Sequence, residues 1–131
     1  MAQRPIEVIL LRQWASYIAV PMWITDDIGN LIYYNEPAEA ILGKRFDEVG
    51  MIHAEELADV FHTTDVDGNP LESKQLPIAK ALTEAIPVHS VLKFRAFDQT
   101  YRTIEVTALP IEGQGGRHLG VMAMFWEHNG D

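Results

Sequence analysis

Pro21-Met22-Trp23-Ile24-Thr25-Asp26-Asp27-Ile28-Gly29-Asn30-Leu31-Ile32-Tyr33-Tyr34-Asn35 sets two short runs of apolar, aromatic and β-branched residues on either side of a turn. Strands over Met22 to Asp26 and Leu31 to Tyr34, joined through Asp27-Ile28-Gly29-Asn30, make a β-hairpin. Pro21 stops whatever precedes it. Asn35 offers a capping side chain to a short helix over Glu36 to Leu42, with Pro37 in its first turn and Gly43 closing its end.

Upstream of the hairpin, Pro5 to Ala19 reads as a helix. Ile6, Ile9, Leu10, Gln13, Trp14, Tyr17 and Ile18 recur at spacings of three and four, while Val8 and Leu11 fall off that stripe. A helix apolar on more than one face has two neighbours to satisfy. Downstream, Phe46 to His62 carries short helical patterns with Met51, Leu57, Val60 and Phe61 as the expected buried positions. A loop over Thr63 to Pro70 leads to a helix over Leu76 to Ala85, with Leu76, Ala79 and Leu82 or Thr83 on its buried face, stopped before Pro87. Three long strands follow, over Val88 to Phe97, Tyr101 to Ile111 and His118 to Trp126. Their joints, Asp98-Gln99-Thr100 and Gly113-Gln114-Gly115-Gly116, are short enough for antiparallel hairpins.

The chain has 131 residues, 47% of them hydrophobic, which suits one packed domain. A formal charge of −9 without any Lys/Arg cluster repels phosphate backbones, so no nucleic-acid partner is expected. The absence of cysteine excludes disulfides, thiolate nucleophiles and zinc-thiolate sites. The longest uncharged segment, Gln13 to Thr25, is 13 residues and is interrupted by Pro21, whereas a bilayer span needs about 20. The expectation is a cytoplasmic protein with no membrane partner.

The order of elements and the residues at their joints resemble the PAS family. The matching pieces are the segment from Pro21 to Asn35, then Asp67-Gly68 with Pro70-Leu71, Leu76-Pro77 with Ala81-Leu82, Pro110-Ile111 and Gly120-Val121, together covering roughly residues 15 to 127. The resemblance implies an α+β fold: a five-stranded antiparallel sheet with short helices across one face, a sensing cavity between them, and the leading helix on the other face. It divides the chain into a leading helix (1–19), a core (20–128) and a tail (129–131). It also implies a signalling module that binds a ligand or a protein partner. The flavin-binding photosensory branch needs a cysteine that is missing here, so cysteinyl-flavin photochemistry is excluded. Glu127-His128-Asn129 stands where many relatives carry an Asp-Ile-Thr-like signal to an output helix. Signalling through a separate partner protein is therefore one expectation, and an excised piece of a longer chain the other.

Leu119-Gly120-Val121-Met122-Ala123-Met124-Phe125-Trp126 is apolar at every position, whereas a strand with one wet face would alternate. The resemblance turns Val121, Ala123 and Phe125 towards the cavity. Strand alternation places Trp23, Thr25, Leu92, Phe94, Ile104, Val106 and Ala108 on the same side. Burying one such large apolar side chain contributes roughly 1.5 to 3 kcal/mol, so this set is able to close a core unaided. The sharper alternative is a pocket for an apolar or aromatic small molecule, a fatty acid for instance, with Thr25 as its polar anchor. On the opposite face, Met22, Ile24, Met122, Met124 and Trp126 form a strip too large to leave wet. The leading helix is its expected cover, and the surplus apolar residues Ile6, Ile9, Leu10 and Trp14 point to a homodimer.

Other chemistry finds little support. In one continuous helix Glu55, Asp59 and His62 would share a face, yet acidic helix faces far outnumber metal sites, and no metal is expected. Haem-binding relatives take their axial histidine from the helix before the third strand, here Leu76 to Ala85, which has none; His62 and His89 only flank it. No phosphate loop or nucleophile elbow is present. The rival from another class is a cone-shaped α+β enzyme of the ketosteroid-isomerase type, which needs a titratable pocket group. A third reading is a dimerisation module without ligand.

Overall fold

The computed structural model describes residues 4–128, so the tail expected at 129–131 lies outside the described residues. Helix α1 (Ile6–Ala15) is followed by the hairpin strands β1 (Met22–Thr25) and β2 (Leu31–Tyr34). Helices α2 (Glu36–Leu42), α3 (Leu57–Phe61) and α4 (Pro77–Glu84) come next, and the long strands β3 (Val88–Arg95), β4 (Tyr101–Glu112) and β5 (His118–Glu127) complete the chain. The sheet order is β2-β1-β5-β4-β3, each neighbouring pair antiparallel. The chain's last strand is thus its central one, which is why β5 is apolar on both faces.

Local chemistry sets the joints. Asp26 Oδ1 accepts the N–H groups of Ile28 (3.1 Å) and Asn30 (2.9 Å), closing the hairpin turn around Gly29 at φ +95°. Asp65 builds the same device in the loop before α4, accepting from Asp67 N and Asn69 N at 2.9 Å each; the Asn69 side-chain amide first, and then these backbone bonds, hold its carboxyl below the usual aspartate range. Thr64 then exchanges backbone hydrogen bonds with Lys93, tying that loop to β3.

Asn35 does far more than cap a helix. Its Oδ1 accepts Met22 N–H at 2.9 Å and Ala38 N–H at 3.2 Å, while its amide donates to the carbonyls of Ala15 (2.9 Å) and Val20 (2.8 Å). The side chain is wholly buried. It explains why α1 ends at Ala15 and not at the expected Ala19: the Ala15 carbonyl is taken by this amide, and the chain turns there towards β1.

Two apolar cores lie on the two faces of the sheet. The larger holds Trp23, Tyr34, Phe61, Leu92, Phe94, Val106 and Phe125 beneath α2, α3 and α4. The smaller holds Val8, Ala15, Met22, Ile24, Ile32 and Leu119, with Leu11, Met122 and Met124 partly buried against it. Helix α1 therefore seats Val8, Leu11 and Ala15 on the sheet, the residues off the stripe that dominates its sequence. The Arg12 guanidinium sits over the Tyr33 ring, 4.8 Å from its centroid. Ile6 and Trp14 are turned outward, 67% and 64% exposed.

One smaller expectation needs correcting and one open choice is decided. Met51 is exposed and its neighbour Ile52 is buried instead, because Gly50 at φ +77° turns the chain and the Ile52 carbonyl accepts Leu31 N–H at 2.8 Å. On α4, Leu82 is half-buried and Thr83 exposed, so Leu82 completes the inner face.

Candidate ligand cavity

Between the sheet and helices α3 and α4 the large core leaves a cavity of about 80 Å³. Every layer contributes to its wall. From the sheet come Trp23, Leu92, Phe94, Ile104, Val106, Ala123 and Phe125; from the helices and their ends come Leu42, Leu57, Phe61, Thr63, Leu76, Pro77 and Ile78. The aromatic part is ordered by ring contacts. Trp23 stacks on Tyr34 at 5.6 Å between centroids, and Phe61 meets the edges of both Trp23 (6.1 Å) and Phe94 (5.5 Å). None of the lining residues is titratable, so the wall offers no general acid or base of the kind the isomerase-type alternative requires.

Strand parity places the sheet side of this wall, with three exceptions. Ala108 and Val121 point inward and are fully buried but stand apart from the cavity. Thr25 is buried too, yet its hydroxyl belongs to the backbone: it donates to the Asp26 carbonyl at 2.9 Å and accepts Val121 N–H at 3.1 Å. Those bonds stabilise an irregularity in β1, where the register against β2 shifts between Ile24 and Thr25. The Thr25 hydroxyl is therefore committed to backbone partners, and Thr25 does not line the cavity.

The polar residue at the wall is instead Thr63, just past α3. His62 adopts φ +46° and ψ +52°, reversing the chain so that Thr63 tucks under the sheet, only 4% exposed. A loop threonine carries no periodicity, so strand and helix patterns pass over it. The helix-side residues Leu57, Phe61 and Leu76 were readable as buried positions, though not as cavity wall.

On the outer face, Met22 and Ile24 are covered by α1 of the same chain, while Met122 and Met124 are half-buried beside it. Met22 and Ile24 thus offer a partner chain no surface while α1 is seated. Ile6, Ile9, Leu10 and Trp14 lie on the outer side of α1, and Trp126 is exposed near the end of β5. Glu55 lies in a separate 3-10 turn, Ala54–Glu56, and His62 contacts Arg95 at 2.7 Å, so Glu55, Asp59 and His62 do not form one helix face. Among the described residues no group of three His, Asp or Glu is placed to hold a metal ion. Neither His62 nor His89 lines the cavity; His89 meets Thr107 Oγ1 at 2.8 Å.

The arrangement of a five-stranded sheet with short helices over one face has a family behind it. The family model of the PAS fold matches residues 10–126, and the chain belongs to the PAS family of sensory and signalling modules. Among solved structures, the PAS domain of a Colwellia psychrerythraea protein is similar at TM-score 0.66 and 16% identity, over 94% of this chain and 99% of that one. The PAS domain of Bordetella pertussis BvgS is similar at TM-score 0.67 and 15% identity, over 95% and 88%. The Rhodobacter sphaeroides LOV protein is similar at TM-score 0.73 and 12% identity, over 96% and 70%. At these identities the likeness is one of fold. No curated protein matches the chain. No helix among the described residues is long and apolar enough to cross a membrane.

Proposed function

We propose that this PAS domain is a sensor that takes a small apolar molecule into the cavity between the sheet and α3–α4, and that it works as a homodimer joined through α1. The cavity carries the first part. Its volume of about 80 Å³ narrows the ligand, because pockets for drug-sized molecules run from roughly 300 to 1,000 Å³. A fatty acid or a flavin does not fit the chain in this arrangement. Xenon is the direct probe, since it enters dry apolar cavities without needing any polar contact. Under xenon pressure the methyl NMR signals of Leu92, Ile104 and Val106 are expected to shift saturably. Shifts confined to surface methyls would overturn the reading.

The second part is supported by the outer side of α1. Ile6, Ile9, Leu10 and Trp14 keep the three- and four-residue spacing of a helix seam and stay exposed in the single chain. A second copy presents the same stripe, so a two-fold arrangement satisfies both at once. Light scattering is expected to give the mass of two chains for the parent and of one for the double variant Leu10→Glu/Trp14→Glu, with unchanged circular dichroism. A parent that scatters as one chain at every concentration tested would rule the dimer out. A binding site for a separate signalling protein belongs to the same reading, as does residence in the cytoplasm.

A further inference from the structure

Two histidines are bonded in a way that only their neutral rings allow. His53 precedes the 3-10 turn Ala54–Glu56 that leads into α3. Its Nδ1 accepts the Glu55 N–H at 3.1 Å, capping that turn, and its Nε2 meets the Ile28 carbonyl oxygen at 2.5 Å. A backbone N–H only donates and a carbonyl only accepts, so Nε2 carries the hydrogen and Nδ1 is bare. His62, at the other end of α3, has its Nε2 2.7 Å from a guanidinium nitrogen of Arg95. Arginine only donates and keeps its charge, so this Nε2 is bare as well. The two rings fasten the two ends of one segment, 54–61: His53 holds its start to the turn of the first hairpin, and His62 holds its end to β3. Leu57 and Phe61 of that segment, with Thr63 just beyond it, form part of the cavity's helical roof.

His89 and His128 are placed the opposite way. They face the Glu105 carboxylate at 3.8 and 2.9 Å, and a proton turns each contact into an ion pair. For His53 and His62 a proton on the bare nitrogen sets a donor against a donor, and for His62 it also sets one cation against another. The charged groups around His53 are Glu55 and Glu56 on its own turn, Asp26 and Asp27 on the hairpin, and Asp59, Glu72 and Lys74 along the groove it lines; α4 adds only uncharged residues there. Around His62 stand Arg95 and Lys93 on β3, Asp59 one turn back on α3, and Asp65, whose carboxylate is taken up by Asp67 and Asn69. Among the described residues none of these carboxylates pairs with either ring, so they act through water, where their pull is weakened, against direct bonds.

We propose that His53 and His62 are an acid-released fastening of the cavity's roof: their neutral rings hold segment 54–61 to the hairpin and to β3, and protonation frees it at both ends. The fastening is present at neutral pH and is lost as the pH falls through the range in which histidine takes up its proton. It stands on these contacts alone; that its release admits a ligand rests on the cavity reading above.

Long-range nitrogen NMR of the imidazoles reads the premise in the parent protein: at about pH 8, His53 is expected as the Nε2–H tautomer and His62 as the Nδ1–H tautomer. A hydrogen on His62 Nε2 under those conditions would overturn the proposal. The consequence is read from the protection of the Thr63 amide, which bonds to the Ala58 carbonyl at 3.2 Å, after correction for the intrinsic exchange rate at each pH. Between about pH 8 and about pH 5 this protection is expected to fall about tenfold, less than two buried hydrogen bonds would give because His62 is exposed and His53 half-buried. The Val121 amide in β5 should keep its protection; a parallel fall there would mean that acid acts on the whole domain, against the proposal. The double variant His53→Asn/His62→Asn does not titrate in this range yet suits both backbones, since asparagine caps helices well and tolerates the left-handed region. Its Thr63 protection is expected to stay constant. Parent protection that ignores pH, or an equal fall in the variant, would count decisively against the fastening. Xenon separates this from the cavity reading: if the roof loosens in acid and xenon enters at neither pH, the cavity reading fails and the fastening stands.

Discussion

Replacing Asn35 with alanine is expected to destabilise the domain by about 3 kcal/mol, the sum of a lost helix cap and of buried backbone groups left unpaired. For a chain of this size that lowers the melting midpoint by about 10 °C. The variant loses the acceptor of Met22 and Ala38 and the donor to Ala15 and Val20 together, so α1, β1 and α2 come loose from one another. Asn35→Asp separates the two halves of the role. Aspartate is as good a helix cap as asparagine, so a residue that only capped α2 would tolerate it. Here the second carboxylate oxygen would face the carbonyls of Ala15 and Val20 in a fully buried site, and Asn35→Asp is expected to melt no higher than the alanine variant. Denaturant titration decides, and an Asn35→Asp protein with the parent's midpoint would show that the amide does no more than cap.

Gly120→Ala is expected to cost at least as much, about 3 kcal/mol or more, through sterics alone. A Cβ on Gly120 would lie 2.1 Å from the Thr25 carbonyl oxygen, and the residue holds φ +149°, which side-chain-bearing residues avoid. The obstacle is backbone and not a side-chain tip, so it yields only if β5 separates from β1, undoing the Thr25 to Val121 register and the hydrogen bond at 3.1 Å that accompanies it. Gly116→Ala provides the contrast. It too has a positive φ, +75°, but nothing lies within 4 Å of its Cβ, so its cost is the backbone strain of about 1 to 2 kcal/mol. Amide exchange at Val121 should accelerate in Gly120→Ala and stay slow in Gly116→Ala; equal protection in the two would show that the close approach carries no energy.

These residues also mark where the sequence stops being informative. The unbroken apolar run from Leu119 to Trp126 is enough to put β5 inside the sheet with both faces covered, because a strand cannot hide all its side chains at an edge. Parity along β3, β4 and β5 then places Leu92, Phe94, Ile104, Val106, Ala123 and Phe125 at one cavity. Parity says nothing about where a hydroxyl sends its hydrogen bond. Thr25 has the right face, but its partner is the amide of Val121, distant in sequence and set beside it only by pairing of the first strand with the last. Thr63 sits in a loop, outside any periodic pattern, and is brought under the sheet by one left-handed residue, His62. Helix α1 shows a different limit. Its stripe of large residues is the strongest periodic signal, yet Val8, Leu11 and Ala15 meet the sheet. Periodicity identifies a face without saying what it faces.

The hollow beneath α3 and α4 has a volumetric side. Unfolding abolishes any dry void, and water then fits around the released side chains more tightly than the protein did, so hydrostatic compression favours the open chain. A guest lodged among Trp23, Phe61 and Thr63 takes up that slack and blunts the response. How hard this domain must be squeezed before it gives way is therefore a gauge of whether the chamber is tenanted, legible before any guest has been identified.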